Sequence, residues 1–282
     1  MKFGISLMRV SYKGVVAVAR LAEELGFDSL WGADHLIWPL EYAANYPYDP
    51  SGRPGLPSSV PTLDCWSYLT WIAAHTSKIK LGPAVYILPL RDPLVTARAA
   101  MTLDVLSGGR LLFGVGAGWL AEEFEYANLD YKSRGRRMDE CLEVIDRLWT
   151  QETPSFQGEH IKFGKVNFEP KPVTKPRPPF VIGGESDAAL RRAARWGDGW
   201  IGVPKRPEQA VEMIKKMRDW RAAGPLAGRP LEMTIMSMDS PSEADIEQFR
   251  KAGVDRLVIS PFARTSEAEA GLKAFAQRAM RG

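Results

Sequence analysis

The chain has 282 residues, 45% of them hydrophobic and 25% charged, and its 37 Lys and Arg against 34 Asp and Glu leave a formal net charge of only +3. That length buries one large core, for which an α/β barrel of about 250 residues is a natural solution. Interspersed charges without a basic tail argue against nucleic acid, and no apolar run approaches the roughly 20 residues of a membrane span.

The strand and helix patterns alternate from the start. Lys2–Leu7 reads as a strand and Lys13–Leu25 as a helix stopped by Gly26. Ser29–Asp34 is a second strand, Asp64–Thr76 a helix, Ile79–Ile87 a third strand and Pro93–Leu106 a helix. Arg110–Gly116 is the fourth strand, its apolar run typical of a parallel sheet covered on both faces. Arg136–Trp149 is a strongly amphipathic helix. Phe180–Gly183, Gly199–Gly202, Leu231–Ser237 and Arg256–Ser260 read as the last four strands. Helices over Asp187–Trp196, Pro207–Ala222, Ser242–Ala252 and Ser266–Met280 follow them. Eight strand–helix units predict a single (β/α)8 TIM barrel over 1–282, with a doubly wound sheet as the rival. The N-terminus enters a strand directly with no signal-peptide pattern, and Cys65 and Cys141 form no motif; a cytoplasmic protein with reduced thiols is expected.

Two insertions exceed ordinary loop length, about 36–63 after the second strand and about 150–179 before the fifth. The first carries six prolines, including Pro57, with Trp38, Tyr42, Tyr46 and Tyr48, whose aromatic content argues against disorder. The second holds a predicted hairpin over Ser155–Phe163 turning at Gln157-Gly158. Both are read as a lid or substrate wall.

In a barrel, the active-site face lies just past the strands' C-terminal ends. Asp34 and His35 close the second strand, where an imidazole takes or gives a proton near neutral pH and a carboxylate orients it. The alternative is a capping Asp beside a structural His. Gly114, Gly116 and Gly118 alternate with Val115 and Ala117, which strips side chains from one side and lets a ligand approach backbone, or simply serves tight packing. Gly183-Gly184 ends the fifth strand before a helix opened by Ser186 and Asp187, either an anion cradle or an ordinary capped turn. Arg134, Arg136 and Arg137 open a helix, where cations are unfavourable unless an anionic ligand or Asp139 and Glu140 face them. Metal-ligand spacings, nucleophile elbows and P-loops are absent from the sequence, and GVGAGW departs from the dinucleotide fingerprint at its last glycine.

These residues together resemble the bacterial luciferase-like superfamily of TIM-barrel flavin and deazaflavin oxidoreductases. The resemblance runs through LAEELGFDSLWGADH (21–35), the segment 79–119, RGRRMDECLEVIDRLW (134–149) and PPFVIGGESDAALRRAARWGDGW (178–200), and GWLAEEF (118–124) points to the branch that uses coenzyme F420. It implies that Asp34 and His35 lie beside the cofactor ring, with His35 as acid/base. It implies a bulge at Ala84-Val85 behind the ring, with a non-prolyl cis peptide, and a cofactor lining of Gly116, Ala117, Gly118, Ile182, Gly183, Gly184, Glu185 and Arg134. Lys132, Arg134 and Arg137 would meet the polyglutamate tail of F420. Relatives that oxidise a sugar phosphate carry a catalytic Glu where this chain has Trp119, so a more apolar substrate is expected, walled by Trp38, Trp66, Tyr68 and Trp119. The expected reaction is hydride transfer between F420 and a small apolar substrate. The rivals are an FMN-dependent monooxygenase using FMNH2 and O2, supplied by a flavin or F420 reductase partner, and a non-catalytic, anion-binding barrel subunit. A homodimer or higher homo-oligomer is also expected, because long helices offer packing faces.

Overall fold

In a computed structural model the structure describes residues 1–43, 45–55, 59–203, 206–237 and 240–280. Its strands are β1 (Lys2–Ser6), β2 (Ser29–Gly32), β3 (Lys80–Pro83), β4 (Tyr86–Ile87), β5 (Phe113–Gly116), a hairpin of β6 (Phe156–Gln157) and β7 (Lys162–Phe163), then β8 (Phe180–Gly183), β9 (Gly199–Gly202), β10 (Glu232–Met236) and β11 (Arg256–Ile259). All but the hairpin form one parallel sheet in the order β3-β2-β1-β11-β10-β9-β8-β5-β4.

The sheet closes. β3 and β4 are two pieces of one barrel strand, separated at Ala84-Val85, whose peptide is cis as the resemblance implied. β3 pairs with β2, and also bridges to the residues entering β5: Leu81 N–H donates to Arg110 O at 2.9 Å and Leu112 N–H to Leu81 O at 2.8 Å. β4 then pairs with β5, so the sheet's edges meet and the doubly wound alternative falls. Helices α1 (Val15–Glu24), α2 (Cys65–Ala73), α3 (Pro93–Ser107), α4 (Ala121–Tyr126), α5 (Arg134–Thr150), α6 (Asp187–Trp196), α7 (Pro207–Ala222), α8 (Glu243–Lys251) and α9 (Ala268–Ala279) complete the chain. Of these, only the short α4 falls where the sequence reading placed no helix. No helix among the described residues is long and apolar enough to cross a membrane. The two cysteines are free and buried, and burial pushes the Cys141 thiol up to about 12.

Two apolar layers result. The larger fills the space between strands and helices; the smaller fills the barrel with Trp31, Leu112, Val181, Ile201, Met236 and Val258. Trp31 dominates the interior, its indole N–H donating to Ser29 Oγ at 2.9 Å. Glycines surround it because it leaves no room: a methyl built on Gly4 would lie 2.8 Å from Trp31 Nε1, and one on Gly82 3.1 Å from its ring. Beneath it, fully buried Arg256 pairs with Asp28 and Glu232.

Much of the second insertion packs at the end of the barrel opposite the mouth, where Lys171 donates to Leu148 O and Thr174 N–H to Asp104, while its hairpin turn runs back along α5 to Glu140 and Arg136. None of these contacts is with the aromatic cluster of the first insertion. The hairpin turns over 158–161, with Gly158 N–H donating to Ile161 O at 2.9 Å, and not at Gln157-Gly158. Arg177 straps it down through Asp146 at 2.7 Å and Asp198 at 2.6 Å.

The first glycine of the 114–118 cluster makes way for protein. A methyl on Gly114 would lie 1.9 Å from Pro83 O. Gly114→Ala is therefore expected to lower unfolding free energy by about 2–3 kcal/mol, the cost of overpacking against rigid backbone. Urea unfolding of the two proteins checks this; unchanged stability contradicts the close approach.

Candidate active site at the barrel mouth

The C-terminal ends of β2, β4, β5 and β8 bring the sequence-predicted residues together. Asp34, just past β2, is buried and its carboxylate accepts from Ile87 N–H at 2.9 Å and Arg91 at 2.8 Å, fastening β2 to β4. Burial pushes this carboxyl up from the ordinary aspartate range, against the downward pull of Arg91 and the Ile87 amide. Asp34 thus braces the site from behind, and its partner is Arg91 rather than the adjacent His35.

His35 points the other way, as alternation along an extended chain requires. Its Nδ1 lies 2.9 Å from Glu123 Oε2, and its side chain remains 16% exposed against 0% for Glu123. The other oxygen of Glu123 accepts from Leu36 N–H at 2.8 Å and Ile37 N–H at 3.3 Å. Sequence reading singled out neither Glu123 nor Arg91. GWLAEEF was read as a signature, without a role for its second glutamate, and nothing local marks Arg91 as the counter-ion of a residue 57 positions earlier.

The first insertion folds over this mouth as an aromatic cluster centred on Trp119. Ring centroids of Tyr46, Tyr42, His35 and Trp38 lie 5.1, 5.9, 6.2 and 6.3 Å from that of Trp119, all at steep angles. Trp38 packs edge-on against His35 at 4.3 Å, and Tyr48 against Tyr46 at 5.3 Å. Glu122 Oε1 accepts from Ala43 N–H at 2.8 Å, so two consecutive glutamates of α4 hold the insertion. Pro57 lies outside the described residues.

Two predicted wall residues are elsewhere. Trp66 is buried in the layer between sheet and helices, stacked on Phe113 at 5.8 Å and against Tyr86 at 4.9 Å. Tyr68, on the same helix α2, packs against that layer too. α2 lies on the outer side of β3, so neither residue joins Trp38 and Trp119.

Gly116 and Gly183, like Gly114, make room for protein. A methyl on Gly116 or Gly183 would lie 2.5 or 2.6 Å from the Val85 side chain. The space they leave is taken by Val85, and Ala84 and Val85, half-buried above the interior cluster, form the surface at the mouth. Gly118 is left-handed at φ +81°, its carbonyl accepting from Arg134 Nε at 3.1 Å, with Ala117 half-buried beside it. Ile182 is fully buried in the outer layer. Gly184 is left-handed as well, at φ +115°, with the Tyr48 hydroxyl beside it. Ser186 caps α6 through Ala189 N–H at 3.3 Å, the ordinary reading. Glu185 is half-buried and accepts from Val203 N–H at 2.6 Å; burial pushes its carboxyl up, and its charge with burial raises Tyr46 and Tyr48.

The arginines that open α5 do not pair with Asp139 or Glu140. Asp139 binds Arg192 at 2.7 Å, and Glu140 accepts from the amides of residues 159–161. Half-buried Arg134 and Arg137 donate to carbonyls, of Gly118, Tyr131 and Pro89, Arg134 also lying over the Tyr131 ring at 3.8 Å, and both lack a carboxylate partner among the described residues. Arg136 is exposed, 3.5 Å from Glu159.

A profile of the luciferase-like monooxygenase family matches residues 1–281. The chain belongs to that family. An uncharacterized protein of Mycobacterium tuberculosis is 36% identical over 230 residues, 79% of this chain and 80% of that one. An F420-dependent glucose-6-phosphate dehydrogenase of Kineococcus radiotolerans is 32% identical over 183 residues, 64% of this chain and 49% of that one. Among solved structures, the monooxygenase RslO1 from Streptomyces bottropensis superposes with a TM-score of 0.79 at 22% identity, covering 99% of both chains. The coenzyme F420-dependent tetrahydromethanopterin reductase of Methanopyrus kandleri gives 0.78 at 19%, covering 99% of this chain and 98% of that one. These likenesses confirm the barrel and place the chain among F420-dependent and monooxygenase relatives.

Removing Arg91 leaves a buried carboxylate without its cation, which costs about 3–5 kcal/mol. Arg91→Met should show this near pH 7.5 and a smaller loss near pH 5, since losing the downward pull of Arg91 leaves folded Asp34 of the variant raised above that of wild type, and the variant regains stability by taking up a proton as pH falls. Urea unfolding at both pH values checks it; a pH-independent penalty contradicts it.

Proposed function

We propose that the protein transfers a hydride between coenzyme F420 and a small, largely apolar organic substrate. The observation that carries this reading is His35: a partly exposed imidazole held by one nitrogen, at a barrel mouth with an apolar floor and an aromatic wall.

The residues present fit a flat ring with an anionic tail. Ala84 and Val85 offer an apolar face, and the buried indole N–H of Trp38 has no hydrogen-bond partner. Arg134 and Arg137 carry charge unmatched by any described carboxylate, suited to a phosphate or polyglutamate. When bound, reduced F420 supplies the hydride and the protein supplies position and proton. His35 Nε2 gives a proton to a substrate oxygen or carbon on reduction and takes one on oxidation. The aromatic cluster around Trp119 keeps water out. Trp119 offers no carboxyl, which disfavours a sugar phosphate and suits a neutral ketone or conjugated alkene.

The family's name and the RslO1 likeness favour a second reading, FMN-dependent oxygenation on the same mouth. Fluorescence polarisation with each oxidised cofactor separates them. Saturable F420 binding with none for FMN is expected; the reverse overturns the proposal. With cyclic enones and ketones as substrates, His35→Ala is expected to lower turnover by about 10²–10⁴-fold with F420 affinity kept within a few-fold. Unchanged turnover contradicts the proton role.

A further inference from the structure

We infer that Glu123 is a positioning residue that ties the state of His35 to closure of the aromatic insertion, an inference that rests on the proposed role of His35. One fully buried carboxylate does two things at once. Its Oε2 lies 2.9 Å from His35 Nδ1, and its Oε1 accepts from Leu36 and Ile37 N–H at 2.8 and 3.3 Å. Its side chain is fully buried, so each contact acts at low dielectric.

The chemistry of the partner decides the tautomer. A carboxylate only accepts, so Nδ1 of a neutral His35 is the protonated nitrogen and Nε2 is the free acceptor at the mouth. Accepting two amides at once orders the start of the insertion, and the next glutamate holds its continuation through Ala43 N–H at 2.8 Å. Both glutamates sit in the first turn of α4, whose amide ends favour negative charge. Their platform does not yield: Phe124 packs with Ile87 and Leu90, and the carbonyl of Trp119 accepts from Tyr131 Oη at 2.9 Å.

Shared occupancy means coupling. Whatever lifts residues 36–43 from α4 disturbs the carboxylate that orients His35, and whatever reorients His35 loosens the insertion; the effect is reciprocal. The imidazole is therefore set for proton transfer only when Trp38 and Tyr42 close over Trp119, so that access and proton transfer alternate rather than overlap.

Wild type, Glu123→Gln and Glu122→Ala test this, with His35→Asn for assignment. In wild-type protein without cofactor, ¹⁵N-histidine spectra at a pH where the ring is neutral should show His35, assigned by its loss in His35→Asn, as the Nδ1–H tautomer. The Nε2–H tautomer overturns the inference. Glu123→Gln keeps an oxygen for the Leu36 and Ile37 amides but turns an NH₂ toward Nδ1. It should flip the tautomer and lower kcat at least about 100-fold, while hydrogen-exchange protection of residues 36–43 falls only a few-fold. Glu122→Ala should reduce that protection more than 10-fold and also disturb the His35 spectrum, although it does not touch the ring. An unmoved His35 signal there, or a wild-type kcat in Glu123→Gln, overturns the coupling. The spectra and exchange need no cofactor, so absent F420 turnover in wild type would sink the proposed function without touching this result.

Discussion

The wedge of Val85 between β5 and β8 is the constraint on which the mouth of this barrel depends. Its side chain occupies the space that Gly116 and Gly183 leave, and Pro83 O occupies the space left by Gly114. With these places filled, the third barrel strand ends as two pieces, and its step presents Ala84 and Val85 to the mouth. Asp34 then pins the second piece by accepting from Ile87 N–H and Arg91. Any side chain at the glycines would push the step outward and break that tie.

On this base the chemistry-bearing parts are layered. Asp34 faces the strand and serves structure; His35 faces the mouth, where the proposed reaction would use it. Between mouth and solvent lies the aromatic insertion, built around Trp119 and rooted on α4. The same tryptophan that removes a carboxyl from the site supplies the contact surface for Tyr42 and Tyr46. On the proposed reading, loss of a charged group and gain of a fixed aromatic cover are one substitution, and together they would shift the mouth toward neutral, apolar substrates.

Much of this was legible in the chain. Parallel strands buried on both faces give continuous apolar runs, so the eight strand–helix units stand out, and Asp34-His35 falls at a strand end by counting alone. What was not legible depends on distance in sequence. The glycine cluster reads equally as ligand approach or packing until Val85 is seen filling it. Trp66 has the composition of a wall residue, but which side of β3 its helix packs on decides its use. The insertion at 150–179 looks like the one at 36–63 in length and proline content; only the contacts each makes in the fold separate them. Glu123 looks like any helix-surface glutamate, and its burial under a loop 86–88 residues earlier leaves no local mark. Short α4 escaped because six residues make too little periodicity to detect.

The account turns on one claim, that this mouth holds the cofactor. Hydrogen-exchange mass spectrometry with and without saturating F420 tests it most directly. Protection confined to residues 34–38, 84–87, 116–119 and 183–185, with the α5 N-terminus joining them, is the predicted pattern. Protection at the opposite end of the barrel, around the Arg177 strap, or no change at the mouth, would contradict it.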